Sequence, residues 1–471
     1  RFVNKVKSLK MCEQSIIILV EGSLVVLGMY FLTKESYRNV LLLAASLFFY
    51  AWGEPVYILL MLCSITVSFL AGRALGRAHT PARRRAVLSA SVAYHLLTLG
   101  FFKYADFLIG TVNSLFGLSL PLPIGISFYT FQTLSYIVDV YRGVCAPQRR
   151  WDWLAMYVSL FPQLIAGPIV RYQTVEQQIA HRTVSRAQCA EGVRRFTAGL
   201  VKKVLLANNI GLVFTQILGN GALPQSVLAA WVAVAAYTFQ IYFDFAGYSD
   251  MAIGLGKLFG FTFEENFNLP YLSRSITEFW RRWHISLGTW FRDYVYIPLG
   301  GNRCGWGRQL FNIAVVWLLT GLWHGASWNF VLWGAYYAVL LMVEKLGLLR
   351  VLARLPRMLQ HAYALFFIVV GWALFACTEP GQLSGVFGAL FGLSGVPLYD
   401  ASSLFLLKNN VLLWLLLVFA STASFARLHT HLLSRHWYAE VLCPLGLAAA
   451  LLACTAFIVS GSFNPFLYFR F

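Results

Sequence analysis

The sequence of 471 residues is 59% hydrophobic and only 12% charged, a composition that excludes a soluble globular domain and indicates a polytopic membrane protein. Its formal net charge of +18 does not indicate nucleic-acid binding, because no aromatic and basic sheet pattern accompanies it. Basic loops beside apolar runs are instead what the positive-inside rule produces in membrane proteins.

Two features of the whole chain limit the architecture further. The first ten residues, RFVNKVKSLK, form an atypical tail, and we expect residues 11–471 to form a single membrane domain. Eight cysteines are scattered along the chain without a CxxC pair. We therefore predict no disulfide framework, no metal site and no permanently bound cofactor.

Twelve apolar runs predict an all-α protein with about 10–12 membrane helices, several of them short or interrupted. No internal repeat is visible, which argues against an inverted-repeat transporter fold. The last three runs predict C-terminal helices within residues 361–460. The runs lie at about 14–32, 39–53, 55–72, 87–102, 124–141, 153–170, 196–218, 227–247, 311–343, 361–377, 405–425 and 440–460.

Arginine-rich loops predict the orientation of these helices. The loop at residues 73–85 is short and dense in arginine, and a second basic loop follows at residues 142–150. Because short basic loops stay in the cytoplasm, we expect both loops on the cytoplasmic side and the N-terminus outside. The four basic residues of the N-terminal tail oppose this orientation weakly.

The segment at 240–250, QIYFDFAGYSD, places polar side chains at the end of an apolar run. Carboxylates at membrane depth need partners, because an unpaired buried charge is costly. Two interpretations remain open: these side chains support catalytic residues as outer neighbours, or the carboxylates pair with arginines and brace the fold. The residues concerned are Tyr242, Asp244, Ser249 and Asp250.

The next stretch begins with a helix-start signal. Ser275 and Glu278 have the spacing of a capping box, which predicts a helix beginning near Ile276. Phe279 and Trp283 then begin an apolar stripe at three- and four-residue spacing. We predict an amphipathic helix of about 15 residues, too short to cross a ~30 Å hydrocarbon core, that lies in the interface or re-enters the protein.

The apolar run at 311–343 is too long for one straight membrane helix, which would measure close to 50 Å at ~1.5 Å per residue. Gly321 and Gly325 flank His324 at the middle of the run, in poor helix sequence. We therefore predict a break there, with His324 near mid-membrane. Because broken backbone is tolerated at that depth only inside protein or around water, we expect His324 to face a wet cavity.

GLWHGASWNFVLWG at 321–334 and SITEFWRRWHISLGTWFRDYVYIPLGGNR at 275–303 resemble the two signature segments of the membrane-bound O-acyltransferase family. The resemblance is closest to the bacterial branch that O-acetylates alginate and peptidoglycan. It covers roughly residues 38–344 and implies membrane helices and short re-entrant or interfacial helices around a central funnel or tunnel. Four further segments carry it: YAWGEP at 50–55, PIGISFYTFQTLSYIVDVYRG at 123–143, FPQLIAGPIVRY at 161–172 and QIYFDFAGYSDMAIGLGKLFGF at 240–261.

The resemblance gives His324 the place of the family's catalytic histidine, which activates an acceptor hydroxyl against an acyl thioester. Neutral imidazole, with a pKa near ~6.5, suits such a general base at neutral pH. A lone histidine in an apolar run is ordinarily a hydrogen-bonded core residue. The glycine-flanked break and the resemblance favour catalysis.

His284 follows the WRRW segment and is the second candidate catalytic residue, as a proton-handling or donor-positioning group. The alternative is that it anchors an interfacial helix. The other histidines lack such settings, and we expect them to be structural or solvated.

Arginines near His284 suit the phosphates of coenzyme A at a cytoplasmic mouth, because guanidinium forms forked hydrogen bonds to phosphate. A plain positive-inside role is the alternative. The candidate donor- and substrate-binding residues are Arg281, Arg282, Arg292, Asp293, Asn268, Trp323 and Asn329.

These interpretations predict a multi-pass O-acetyltransferase of a bacterial cytoplasmic membrane. Acetyl-CoA would be the cytoplasmic donor, and an extracytoplasmic polysaccharide would be the acceptor. From related glycan-acetylation systems, the resemblance implies a separate SGNH-type partner outside the membrane. The alternatives are D-alanyl transfer to teichoic acid, as in another branch of the family, and a non-enzymatic transporter or channel.

Overall fold

In the computed structural model of the protein, residues 22–116, 123–164 and 167–460 are described. They form helices joined by loops, and no strand occurs among them. The structure thus confirms the predicted all-α membrane protein. The atypical tail at residues 1–10 lies outside the described residues.

The α-helices are numbered here in chain order. They are α1 (Gly22–Leu32), α2 (Arg38–Gly53), α3 (Ile58–Arg77), α4 (Pro81–Phe116), α5 (Ile126–Arg142), α6 (Trp151–Ser159), α7 (Phe161–Leu164), α8 (Tyr172–Ala180), α9 (Arg186–Val201), α10 (Asn208–Leu218), α11 (Val227–Leu258), α12 (Ile276–Arg282), α13 (Ile285–Phe291), α14 (Trp306–His324), α15 (Trp328–Val343), α16 (Leu349–Leu352), α17 (Arg357–Ala376), α18 (Pro380–Leu390), α19 (Ala401–Asn409), α20 (Val411–Ala420), α21 (Ala423–Leu433) and α22 (Cys443–Ser460).

Six helical segments of the described chain are long and apolar enough to cross a membrane. A seventh crossing results if α19 and α20, which are bent by 59°, form one broken span. Other predicted runs form helices shorter than this, among them α2, α5 and α15. The six segments are Ile58–Arg77, Pro81–Tyr104, Arg186–Gly221, Val227–Leu258, Arg357–Ala376 and Tyr438–Ser460.

The described chain falls into two compact units, of which the first comprises residues 22–196 and 249–265. Two segments of the family resemblance meet in this unit, at the turn before α5. The Tyr50 hydroxyl donates to the main-chain oxygen of Ile124 at 3.0 Å, and Glu54 accepts from its N–H at 3.1 Å. Both main-chain polar groups of Ile124 are therefore satisfied, as an apolar environment requires.

The two arginine-rich loops also lie together in the first unit. Arg84 donates to the main-chain oxygen of Tyr141 at 2.7 Å, and Arg73 donates to that of Arg149 at 3.4 Å. Both loops are thus on one side of this unit, as their predicted common location requires. Their cytoplasmic placement stays a prediction.

The second unit comprises residues 197–248 and 266–460 and holds both candidate catalytic histidines. Part of its core joins α10, α11, α17 and α18 through buried small and aliphatic side chains, including Leu218, Ala230, Ala373 and Val386. Alanine at these contacts lets the helix backbones approach closely.

Helices α14 and α15 form a hairpin that folds back at Gly325, where the backbone is extended. Its two arms touch through Gly321 and Gly334. A Cβ atom at Gly334 would lie 2.5 Å from the main-chain oxygen of Trp317, so no side chain fits at this contact. The predicted break in the apolar run at 311–343 is therefore confirmed, and glycine sets the spacing of its arms.

We predict that Gly334→Ala destabilises this hairpin by about 1–3 kcal/mol, because the added methyl group meets backbone rather than a movable side chain. Thermal unfolding of the purified protein in detergent measures the loss. Gly446→Ala is the matched control, since a Cβ atom there has no atom within 4 Å. Equal unfolding temperatures for the two variants would contradict the close approach.

Candidate active site

His284 lies at a break between α12 and α13 rather than within a helix. Its backbone adopts the left-handed conformation, with φ 45° and ψ 54°. The predicted single helix of about 15 residues beginning near Ile276 is therefore wrong: Ile276–Arg282 and Ile285–Phe291 are separate helices. The helix start itself is confirmed, because Ser275 accepts a hydrogen bond from the N–H of Glu278 at 3.0 Å.

The break occurs because a preceding loop segment supplies hydrogen bonds in place of the helix. The N–H of Ile285 donates to the main-chain oxygen of Asn266 at 2.9 Å, and the N–H of Asn268 donates to that of Arg282 at 2.9 Å. Periodicity within 276–290 contains no sign of this pairing, since the partners lie some fifteen residues earlier.

The imidazole of His284 is held by Asn266. Its Nδ1 lies 3.1 Å from Oδ1 of Asn266, an atom that also accepts the N–H of Ser286 at 3.2 Å and its hydroxyl at 2.9 Å. Burial lowers the pKa of His284 to about 3, so the ring is neutral. Its Nε2 is buried and has no hydrogen-bond partner in the described part of the chain.

His324 is the last residue of α14 and lies at the corner of the hairpin. Its ring packs against those of Trp333 and Phe375, with centroids 5.0 and 5.2 Å away. The residue keeps 8% of its surface exposed, and its Nδ1 is buried. His324 therefore sits in an aromatic environment from which it is not completely sealed. The wet cavity that the sequence predicts at this position stays a prediction.

Trp323 lies between the two histidines. Its ring centroid is 5.9 Å from that of His284 and 5.0 Å from that of His324. With these two distances as sides, the imidazole centroids cannot be more than about 11 Å apart. The structure thus brings the two candidate catalytic histidines to opposite sides of one indole ring.

The tryptophans of the WRRW segment form the aromatic wall behind the histidines. Trp280 packs 4.5 Å from Trp317 and 5.5 Å from Trp333, between ring centroids. Trp283 packs 4.8 Å from Trp372. Because both tryptophans face the protein interior, α12 cannot rotate without losing these contacts.

Glu344, which sequence reasoning missed, fixes the other end of α12. Its fully buried carboxylate accepts the N–H groups of Ile276 and Thr277 at 2.7 and 2.8 Å, and the Thr277 hydroxyl at 2.6 Å. The first N–H groups of a helix have no partner in the helix, and a negative charge is favourable there. A lone acid at the end of an apolar run was the available signal.

The three candidate arginines have different surroundings. Arg281 is exposed. Arg282 pairs with Glu278 at 2.8 Å, and Arg292 forms a two-point contact with Asp293 at 2.7 and 3.2 Å. Two of the three thus already have carboxylate partners, and Asp293 is one of these.

The two candidate asparagines are placed differently from each other. Asn268 has an exposed side chain, and its backbone closes the break beside Arg282. Asn329 is buried and donates to the main-chain oxygen of Phe375 at 3.2 Å, at the end of α17. Asn329 therefore ties α15 to the helix that supplies Phe375 to the His324 site.

The carboxylates of the 240–250 segment have basic partners. Asp244 forms a buried ion pair with Lys203 in the second unit. Asp250 belongs to the first unit and contacts Arg195 at 2.7 Å, which also pairs with Glu265. These pairs support the bracing interpretation, although the partner of Asp244 is a lysine rather than an arginine.

The other polar residues of that segment are buried. Tyr242 packs against Trp283, 6.1 Å between centroids, and so lies behind the residue next to His284. Phe245, which sequence reasoning missed, contacts the His284 ring directly at 4.7 Å. Ser249 is buried in the first unit, and its hydroxyl has no hydrogen-bond partner among the described residues.

The arrangement suits proton transfer in a water-poor site. Two imidazoles lie close together, one of them neutral with a proton-free nitrogen, and aromatic rings exclude competing water. In the described part of the chain, no three His, Cys, Asp or Glu side chains come together as a metal site.

Comparisons with known proteins agree with this chemistry. The family model described as the membrane-bound O-acyltransferase family matches residues 152–385. A probable alginate O-acetylase of Azotobacter vinelandii is 42% identical over 386 residues, which cover 79% of this chain and 77% of the relative. A peptidoglycan O-acetyltransferase of Helicobacter pylori is 33% identical over 414 residues, covering 79% and 78%. A teichoic acid D-alanyltransferase of Bacillus subtilis is 29% identical over 228 residues, covering 46% and 58%.

We predict that Glu344→Gln destabilises the protein by about 1.5–3 kcal/mol, because the amide removes the charge from hydrogen bonds that hold the start of α12. Thermal unfolding in detergent measures this effect. Glu440→Gln is the control, since that exposed carboxylate contacts only His436 in the described chain. An unchanged unfolding temperature for Glu344→Gln would show that the buried carboxylate contributes nothing to stability.

Proposed function

The chain belongs to the membrane-bound O-acyltransferase family, and from this membership we propose that it is an O-acetyltransferase that uses acetyl-CoA to acetylate an extracytoplasmic polysaccharide. The observation that carries the proposal is the meeting of His284 and His324 on either side of Trp323. Both histidines come from the two segments that resemble the family signatures. Their convergence within one aromatic site gives these segments a common chemical purpose.

His324 acts as the general base in this proposal. Its imidazole takes the proton of the acceptor hydroxyl while the hydroxyl oxygen attacks the acetyl thioester carbon. The carbon–sulfur bond then breaks, and the coenzyme A thiolate leaves and takes up the proton. Because Nδ1 of His324 is buried, we assign the proton transfer to Nε2.

Acetyl-CoA would approach from the cytoplasmic side, and the arginines would bind its phosphates. Arg281 is the best-suited of the three, because its side chain is exposed and adjoins the segment that ends in His284. Arg282 and Arg292 have carboxylate partners, so phosphate would have to compete with Glu278 and Asp293. Binding would therefore rest chiefly on Arg281.

The acceptor and the partner follow from the relatives. Relatives named for alginate and for peptidoglycan O-acetylation cover more than three quarters of their own length with this chain, which favours a polysaccharide acceptor. An SGNH-type partner outside the membrane would complete the transfer, as the family resemblance implies. The membrane would be the bacterial cytoplasmic membrane, with the N-terminus outside.

A D-alanyl transferase is the second candidate function. The relative named for that reaction shares less identity and covers less of both chains than the O-acetylating relatives. A transporter is the third candidate, favoured only by the apolar bulk and intramembrane charges. The ion pairs of Asp244 and Asp250 give those charges a bracing role instead.

We predict that His324→Ala lowers polysaccharide O-acetylation by about 10²–10⁴-fold at normal protein levels, because general-base assistance is worth that much. Quantifying ester-linked acetate on the polysaccharide of cells that express each variant measures it. His431→Ala is the matched control, since His431 is exposed on α21. Full acetylation by His324→Ala would refute the catalytic role.

We predict that membranes containing the protein and its partner transfer label from [¹⁴C]acetyl-CoA to polysaccharide without net movement of coenzyme A across the membrane. A D-alanine-charged carrier protein supplied instead should give no labelled product. Transfer from that carrier would favour the D-alanyl alternative, and flux of unreacted acetyl-CoA would favour a transporter.

A further inference from the structure

The proposed function leaves open how a neutral, buried His284 presents the correct nitrogen to the site. We propose that Asn266 is the positioning residue: its side-chain oxygen holds His284 as the Nδ1–H tautomer, so that Nε2 faces the reaction as a proton acceptor. This inference rests on the proposed role of the two histidines and adds a residue that assigns their protonation. Asn266 lies outside both signature segments.

The hydrogen bonds around Oδ1 of Asn266 determine the tautomer. The main-chain N–H of Ser286 can only donate, and it donates to this atom at 3.2 Å, so the atom is the amide oxygen. An amide oxygen can only accept. Nδ1 of His284, 3.1 Å from the same oxygen, must therefore carry the proton. In a neutral ring this leaves the lone pair on Nε2.

The amide nitrogen of Asn266 shows why the residue is not an aspartate. Its Nδ2 is buried without a hydrogen-bond partner in the described chain, an arrangement that costs free energy. An aspartate would accept the same three hydrogen bonds and avoid this cost. However, a carboxylate beside Nδ1 would stabilise the imidazolium form and occupy Nε2 with a proton. The unsatisfied amide is consistent with selection for a neutral histidine.

Backbone contacts fix the ring as firmly as the side chain does. The main-chain oxygen of Asn266 accepts the N–H of Ile285, which closes the turn that places His284 at φ 45°. Phe245 then lies edge-on to the ring at 4.7 Å, and Trp323 lies on the side towards His324 at 5.9 Å. Asn266 therefore controls both the direction of the ring and its tautomer.

Two substitutions test the inference in the full-length protein in membranes. Asn266→Ala removes the acceptor, and we expect acetyl transfer to fall at least about tenfold at every pH. Asn266→Asp restores the acceptor, so we expect it to recover most of the wild-type rate at about pH 8 and to lose it as the pH falls. Asn220→Asp is the control: it adds the same charge at an exposed turn, and we expect the wild-type pH profile.

Nitrogen-15 NMR of histidine-labelled protein in detergent reads the tautomer without any change at Asn266, with His284→Gln used to assign the signal. We expect the Nδ1–H tautomer in the wild type and a rise of about 1–3 pH units in the His284 titration midpoint of Asn266→Asp. An Nε2–H tautomer, or wild-type activity of Asn266→Ala, would overturn the inference. Either result with an inactive His324→Ala leaves the proposed function standing, whereas an active His324→Ala removes that function itself.

Discussion

Every polar main-chain group in an apolar protein interior needs a partner, and the two catalytic candidates sit where the helices fail to provide one. Helices satisfy their own N–H and C=O groups, so a break exposes groups that something else must bind. At His284 the partner is the backbone of Asn266, and at the start of α12 it is the carboxylate of Glu344. The breaks can exist because these residues are present to satisfy them.

The aromatic content of the site follows from the same constraint. Rings can surround a break with a large apolar surface and with few polar groups that would themselves need partners. Trp280, Trp283 and Trp333 fill the space behind the histidines, while His324 keeps a small exposed surface. Such an environment favours neutral imidazole, the form that can accept a proton.

Local chemistry made part of this site predictable from the sequence. Glycines around His324 predicted the hairpin break, and the capping box predicted the start of α12, because both signals act within a few residues. The continuous helix through His284 was wrong, since Asn266 interrupts it from eighteen residues away. Partners for Asp244 and Asp250 stayed open for the same reason: Lys203 and Arg195 precede them by 41 and 55 residues.

The buried pair of Lys203 and Asp244 has a consequence for how the chain enters the bilayer. Each residue lies in a separate membrane-length segment, and each charge alone would cost about 2.5–3.5 kcal/mol at the bilayer centre. Neither segment inserts cheaply by itself. Biogenesis therefore favours delaying release of the earlier segment from the translocon until the later one has been synthesised, so that both reach the lipid already neutralised.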